Sequence, residues 1–326
     1  MHRSVLPALV LILAGAVVIA CGVGPYPLAP GKVLALLVGA ETDPAAARVV
    51  FDIRLPRVLA ALLVGAALSA AGSAYQSLFR NPLVSPDILG VSSGAGLGAV
   101  LGILLGLPVL AVQLLGFAGG IATVLLVALL ARALRGGADM LVLVLSGIVV
   151  GALAGAAIAL VKVLADPYEQ LPAITFWLLG SLSGIQRGDV LAAAPVVLIG
   201  LAPLVLLRWR IGVLGLGEEE ARALGIDTVW LRGIVITAAT LITAAAVAIS
   251  GVVGWVGLMV PHMARMIAGP RFDRLLPVAV LLGGSFMVAV DTIARSGARI
   301  EIPLGVLTAL IGGPVFVWLL VRGRPG

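Results

Sequence analysis

Charge is what this sequence has least of. Of its 326 residues only 11% are Asp, Glu, Lys or Arg, whereas 61% are hydrophobic. Soluble domains carry about 25% charged residues. A chain this apolar has too few polar groups to cover a surface facing water. Its mean hydropathy of +1.22 places it in a bilayer. Aromatic residues are also scarce, at 5%, and alternating ten-residue strands are missing. That disfavours a transmembrane β-barrel and favours helices, which satisfy their own backbone hydrogen bonds in lipid. A single cysteine excludes an internal disulfide framework. Two histidines, His2 and His262, exclude a histidine-rich metal cluster. The lysines are Lys32 and Lys162, and neither sits in a G-x-x-x-x-G-K-S/T motif, so the chain cannot hydrolyse ATP by that route. Ser92, Ser93 and Ser250 show no base nearby in sequence, so no nucleophile–base pair is expected.

Glycine, by contrast, is abundant at 42 residues, as in tightly packed transmembrane bundles. The net charge is +6, but the basic residues stand mainly at the ends of apolar runs. Topology explains them better than nucleic acid does, and no nucleic-acid partner is expected. A span needs about 20 apolar residues. Ten candidates are read, at 5–23, 58–78, 92–107, 110–131, 141–164, 190–207, 229–249, 252–268, 275–293 and 304–321. The segment 172–186 is apolar but too short and broken to span, so it is expected to dip in and return. The run after Met1-His2-Arg3, ending near Cys21, mimics a cleaved leader. More spans follow it, which favours a first membrane helix. With the N-terminus inside, most basic residues fall in inner loops and tails, as the positive-inside rule expects. Lys32, Arg48, Arg54, Arg57, Arg187, Arg295 and Arg299 fall outside and are a partial exception. No linker interrupts the chain, so residues 1–326 are read as one membrane domain.

One short segment departs from this apolar background. Gly217-Glu218-Glu219-Glu220-Ala221-Arg222-Ala223-Leu224-Gly225-Ile226 is a charged island between the sixth and seventh spans. Acidic residues favour a helix N-terminus, and Gly225 is suited to end that helix. The spacing predicts a two-turn helix that displays carboxylates and Arg222. From composition alone it is either an ordinary solvated loop or a surface offered to a soluble partner. Elsewhere, His262 reads as a helix-end or packing residue, and Gly90 to Gly106 reads as a close-packing stretch rather than a pathway lining.

Several stretches in order carry a resemblance. They are Arg54-Leu55-Pro56-Arg57, Phe79-Arg80-Asn81-Pro82-Leu83 through Ser92-Ser93-Gly94-Ala95, the charged island, Gly251 to Pro261-His262, Asp291-Thr292-Ile293-Ala294-Arg295, and Ile302-Pro303-Leu304-Gly305 through Gly313-Pro314-Val315-Phe316. From about residue 25 to the C-terminus the chain resembles permeases of the FecCD-type family of ABC importers, which handle iron complexes and cobalamin.

The resemblance implies an all-α type II importer permease with about ten transmembrane helices. It implies a multi-pass protein of the bacterial inner membrane with both termini cytoplasmic. It implies a homodimer, two ATP-binding subunits below and a periplasmic substrate-binding protein above. ATP and magnesium are then used by the partner ATPase, and no cofactor or metal by this chain. By the same resemblance Glu218, Glu219, Glu220, Ala221, Arg222, Leu224 and Gly225 match the ATPase-coupling segment at about 215–228. Arg54, Arg57 and Arg295 match outer arginines that dock the binding protein, although membrane-interface anchoring is the plainer alternative. Asn81 and Leu83 match a cytoplasmic gate, with a second gate near Gly136 to Leu141. The cargo read from the resemblance is an iron complex, haem or a ferric siderophore, with cobalamin or an oxyanion such as molybdate as alternatives. A secondary transporter driven by an ion gradient is the rival outside the family. It wants ionisable relays within spans, and Asp291 is the clearest acidic residue found there. An intramembrane enzyme wants convergent catalytic side chains, which the sequence does not show.

Overall fold

The computed structural model describes residues 5–134, 140–297 and 300–322, the side chains at 320 and 322 excepted. Fifteen α-helices occur among them, and no strand. They are α1 (Val5–Gly22), α2 (Pro30–Leu37), α3 (Pro44–Arg48), α4 (Leu55–Leu78), α5 (Val91–Leu104), α6 (Val109–Ala133), α7 (Met140–Leu164) and α8 (Gln170–Leu179). There follow α9 (Arg187–Leu206), α10 (Arg208–Leu214), α11 (Glu218–Ala223), α12 (Thr228–Ser250), α13 (Val256–Ala268), α14 (Phe272–Ser296) and α15 (Leu304–Arg322). Seven helical runs are long and apolar enough to cross a membrane: α1, the continuous run Pro44–Leu78, α6, α7, α9, α12 and α14. Helices α5 and α13 and the stretch Leu304–Leu319 are apolar but shorter, and they coincide with the remaining three predicted spans. The 172–186 segment holds the ten-residue helix α8.

Local chemistry sets the helix ends. Asp43 accepts from the amides of Ala45 and Ala46 and starts α3. Asp227 accepts from Trp230 N at 3.0 Å and starts α12. Gln186 and Asp189 form a reciprocal capping box at α9. Each satisfies amides that a helix N-terminus leaves open.

Helix α4 lies at the centre, packed against α9, α12, α13 and α14. Its inner stretch is built from small residues such as Gly65, Ser69, Gly72 and Ser73, all buried. Lipid tails are as apolar as leucine, so close backbone packing rather than hydrophobicity holds membrane helices together. The approach is extreme at two places. A Cβ on Gly65 would stand 2.1 Å from the carbonyl oxygen of Gly283 on α14. One on Gly72 would stand 1.9 Å from that of Gly257 on α13. The glycine stretch of α5 does the same against α6: a Cβ on Gly98 would lie 2.1 Å from Leu115 O. Its role in packing is therefore direct.

Three chain breaks meet beside this core. The turn after α8 donates from Ser181 N to Ser250 O at 2.9 Å, and accepts at Gly180 O from Leu304 N at 2.9 Å. Irregular backbone at membrane depth is tolerated where protein satisfies it in this way. Gly180 (φ +77°) and Gly251 (φ +67°) supply left-handed backbone at the crossing. Trp255 adopts φ +69°, and its side chain lies against Gly312 and Phe316. This turn delays α13 to Val256, where the hydropathy pattern alone predicts a start at 252.

Gly72→Val is expected to destabilise the bundle by about 1–3 kcal/mol or more, because the new methyls meet backbone that cannot move aside. Gly155→Ala, where nothing lies within 4 Å, is expected to change stability by less than about 1 kcal/mol. Thermal unfolding of the two purified variants in detergent measures the difference.

Candidate functional site

The charged island folds into a compact projection. Helix α10 leads into Gly217, after which Glu218–Ala223 form α11. Gly225 (φ +76°) ends it, its amide donating to Arg222 O at 2.9 Å, as its place in the sequence predicts. Ala221 is fully buried and Ile226 nearly so, which roots the projection in the bundle. The three glutamates do not act alike. Glu218 turns back, accepting from Arg222 at 2.6 Å, from the Thr228 hydroxyl at 3.1 Å, and from Arg232. The carboxylates displayed are thus those of Glu219 and Glu220. Glu219, Glu220, Arg222, Leu224 and Gly225 are exposed. Leu224 and Leu216, 59% and 71% exposed, place apolar surface beside the free acids. Partial burial works against ionisation of Glu218, but Arg232, Thr228 and Arg222 together hold its carboxyl below the usual range.

The predicted gate residues lie in the loop between α4 and α5. Asn81 Oδ1 accepts from Leu83 N at 2.9 Å and closes a tight turn around Pro82. Asn81 and Leu83 are exposed. A short turn at Pro86–Leu89 follows, and Ser92 Oγ hydrogen-bonds the Asp87 carboxylate. Ser92 thus has a partner that sequence reading missed, and it is a short-range one at the start of α5 rather than a catalytic base. Ser250 donates to Ala246 O within its own helix. Most of the second gate region, 136–139, lies outside the described residues.

At the opposite end of the bundle the three predicted docking arginines are occupied from within. Arg54 is only 4% exposed. It donates to the carbonyls of Cys21 (2.7 Å), Gly22 (3.1 Å) and Tyr26 (2.6 Å). Arg295 donates to Val23 O at 2.8 Å and to Ala20 O. Together they cap the C-terminus of α1, where four carbonyls have no helical partner and the dipole favours cations. Arg57 is clamped by Asp291 and Glu301, each at 2.8 Å. Glu301 also accepts from the Ser181 hydroxyl at 2.8 Å. Lys32 pairs with Asp43 at 2.6 Å. Helix capping and internal ion pairing therefore occupy the three side chains expected to dock a binding protein. Arg48 and Arg187 are exposed there, and Arg299 lies outside the described residues.

Reading the sequence missed Arg232 and Glu301. Arg232 hides inside an apolar run, and one cation there is a signal that a counter-charge must be near. Glu301 stands just before the Ile302-Pro303-Leu304-Gly305 stretch. Among the described residues no group of His, Cys, Asp and Glu is arranged to hold a metal ion.

Arg57→Met leaves Asp291, 1% exposed, beside Glu301 with only the longer Arg295 contact at 3.7 Å as counter-charge. A loss of about 3–5 kcal/mol is expected, with part regained in Arg57→Met/Asp291→Leu, both read by thermal unfolding. The Glu218 cluster makes a pH-dependent contribution. Its folded-state value lies below the ordinary 4.5, so the contribution is complete above that value. It is lost as pH falls through the depressed one. Melting temperature against pH is expected to drop less steeply in that acid range for Glu218→Gln than for the wild type.

The comparisons agree with this architecture. Residues 10–322 match the FecCD transport family. The molybdate import system permease MolB of Haemophilus influenzae is 40% identical over 329 residues, covering 100% of this chain and 97% of that protein. A Helicobacter pylori protein described as a probable iron chelatin transport system permease is 41% identical, over 85% of this chain and 83% of its own length. The hemin permease HmuU of Yersinia pestis is 37% identical, over 87% and 86%. A solved structure in an inward-facing conformation, described as of metal-chelate ABC transporter type, superposes with a TM-score of 0.91. It is 38% identical and covers 98% of this chain and 100% of that one. With a helical bundle that spans a membrane, a rooted charged projection and likeness over nearly its whole length, the chain belongs to the FecCD transport family and is an ABC transporter permease.

Proposed function

We propose that this permease carries an iron complex, haem or a ferric siderophore, across the bacterial inner membrane from periplasm to cytoplasm. A second permease copy completes the pathway, two ATP-binding subunits dock beneath it, and a periplasmic binding protein delivers cargo. ATP and magnesium are used by the ATPase, and both termini of this chain are cytoplasmic. The observation that carries the reading is the α10–α11 projection. It is anchored at Ala221 and at the Glu218–Arg232 pair, and it exposes Glu219, Glu220 and Leu224. A rigid root with a mixed acidic and apolar tip suits a surface that transmits motion from a soluble partner. A partner drives a transition only through contacts that differ between two states. Relatives described as iron chelatin and hemin permeases support an iron complex. MolB is the specific reason to keep molybdate as the second reading, with cobalamin behind it.

At the far end Arg54, Arg57 and Arg295 shape the docking platform from within, and exposed Arg48 and Arg187 supply its free positive charge. Exposed ion pairs are individually weak, and several together set register and encounter rate. In the loop after α4, Asn81 and Leu83 form the cytoplasmic gate.

Glu219→Arg/Glu220→Arg is expected to abolish ATP-dependent uptake while the permease still reaches the membrane at wild-type level. Undiminished uptake in proteoliposomes with the ATPase removes the coupling role. The cargo is read separately, by purifying the companion binding protein and identifying its ligand by mass spectrometry.

A further inference from the structure

A cavity of about 270 Å³ opens between the end of α4, helix α10 and the turn joining α13 to α14. Its lining includes Gln76, Arg80, Asn81, Arg265, Arg271 and Phe272, and no carboxylate lines it. Three arginines therefore line one small space. Arg271 is partly balanced from outside by Asp273 at 3.0 Å. Arg265 makes one long contact, to Gln76 Oε1 at 3.4 Å, while Gln76 is held by its own bond to Leu258 O at 3.0 Å. The Nε of Arg265 is enclosed and has no hydrogen-bond partner. Arg80 is exposed at the mouth, on left-handed backbone with φ +50°. Helix α14, 25 residues long, begins at Phe272 on the cavity wall, so its N-terminal dipole adds to the positive field.

An enclosed guanidinium N–H without an acceptor is costly, and so is a buried cation without a counter-charge. The lining offers Arg265 only the long Gln76 contact, leaves its Nε without an acceptor, and holds no carboxylate. A planar, fork-shaped donor set on several sides matches the tetrahedral oxygens of a phosphate group, which accepts paired N–H bonds from arginine. We propose that this cavity binds a phosphate group, with Arg265 as the enclosed donor, Arg80 at the mouth and Arg271 beside the start of α14. The phosphate belongs either to the headgroup of an anionic phospholipid or to a soluble ion. The cavity borders Asn81 of the proposed gate and Leu216 of the projection, but none of its three arginines is assigned to either, so the assignment is tested apart from the coupling role.

The test uses the full-length permease in nanodiscs of phosphatidylcholine alone. Inorganic phosphate is titrated against thermal stability, with chloride at matched ionic strength as control. In parallel, detergent-purified permease is mixed with equal phosphatidylglycerol and phosphatidylcholine, and retained lipid is counted by native mass spectrometry. A saturable shift with phosphate identifies a soluble ion. Selective retention of phosphatidylglycerol with no phosphate shift identifies a lipid headgroup. In either arm Arg80→Gln is expected to weaken binding about tenfold or more. Arg80 is exposed, so this variant is expected to fold. Arg265→Lys, which keeps the charge but loses the fork, is expected to weaken it as well. If neither phosphate nor phosphatidylglycerol is distinguished from its control, or if Arg80→Gln binds like wild type, the assignment is overturned.

Discussion

The last carbonyls of α1 have no amide of their own helix to accept from, and the arginines at 54 and 295 supply the missing donors. These two side chains come from helical segments far apart in sequence, one just before α4 and one at the end of α14. Capping α1 therefore also fastens three parts of the fold at one end. Beside them Arg57 on α4 draws Asp291 of α14 and Glu301 of the following loop onto one guanidinium. Low dielectric makes such contacts strict, since each charge or carbonyl left alone is expensive. The turn after α8, the start of α15 and the end of α12 are then positioned by main-chain bonds to one another.

This arrangement changes what a basic residue at the far end means. In a sequence, an arginine outside the membrane against the positive-inside bias invites a functional explanation. Here the arginines at 54, 57 and 295 have structural partners, because helix ends there need donors and buried carboxylates need cations. At the α11 end the position is reversed. The cations lining the cavity by Arg265 have few acids to meet, while acids crowd the projection, where Glu218 is paired with Arg222 and Arg232.

Much of the fold was legible in the sequence because bilayer thickness imposes its own length on apolar runs. All ten predicted spans coincide with helices, and the island at Glu218–Ala223 is helical with a glycine stop. What escaped was set by three-dimensional neighbours. The π-helical run Val49–Arg54, which merges α3 into α4, carries no signature in composition. The delayed start of α13 depends on Trp255 finding space against Gly312. Arg57 and Glu301 are 244 positions apart, and a single sequence gives no cue that they touch. Among the site residues, the charged island at 217–226 stands out through its contrast with the surroundings. The inward turn of Glu218 was missed because Arg232 disappears in a hydropathy average.

The near-contact of Gly65 with Gly283 has a mechanical corollary. Two backbones that meet with no side chain between them have no compressible layer, so neither slides nor tilts against its neighbour without collision or a void. The strand of contacts through Gly72 and Gly257 locks a third helix to the same pair. Helices α4, α13 and α14 thus form a keel. A rearrangement that moves α4 must carry this keel whole, whereas glycines such as Gly155 and Gly233 face open space and bind no neighbour so tightly.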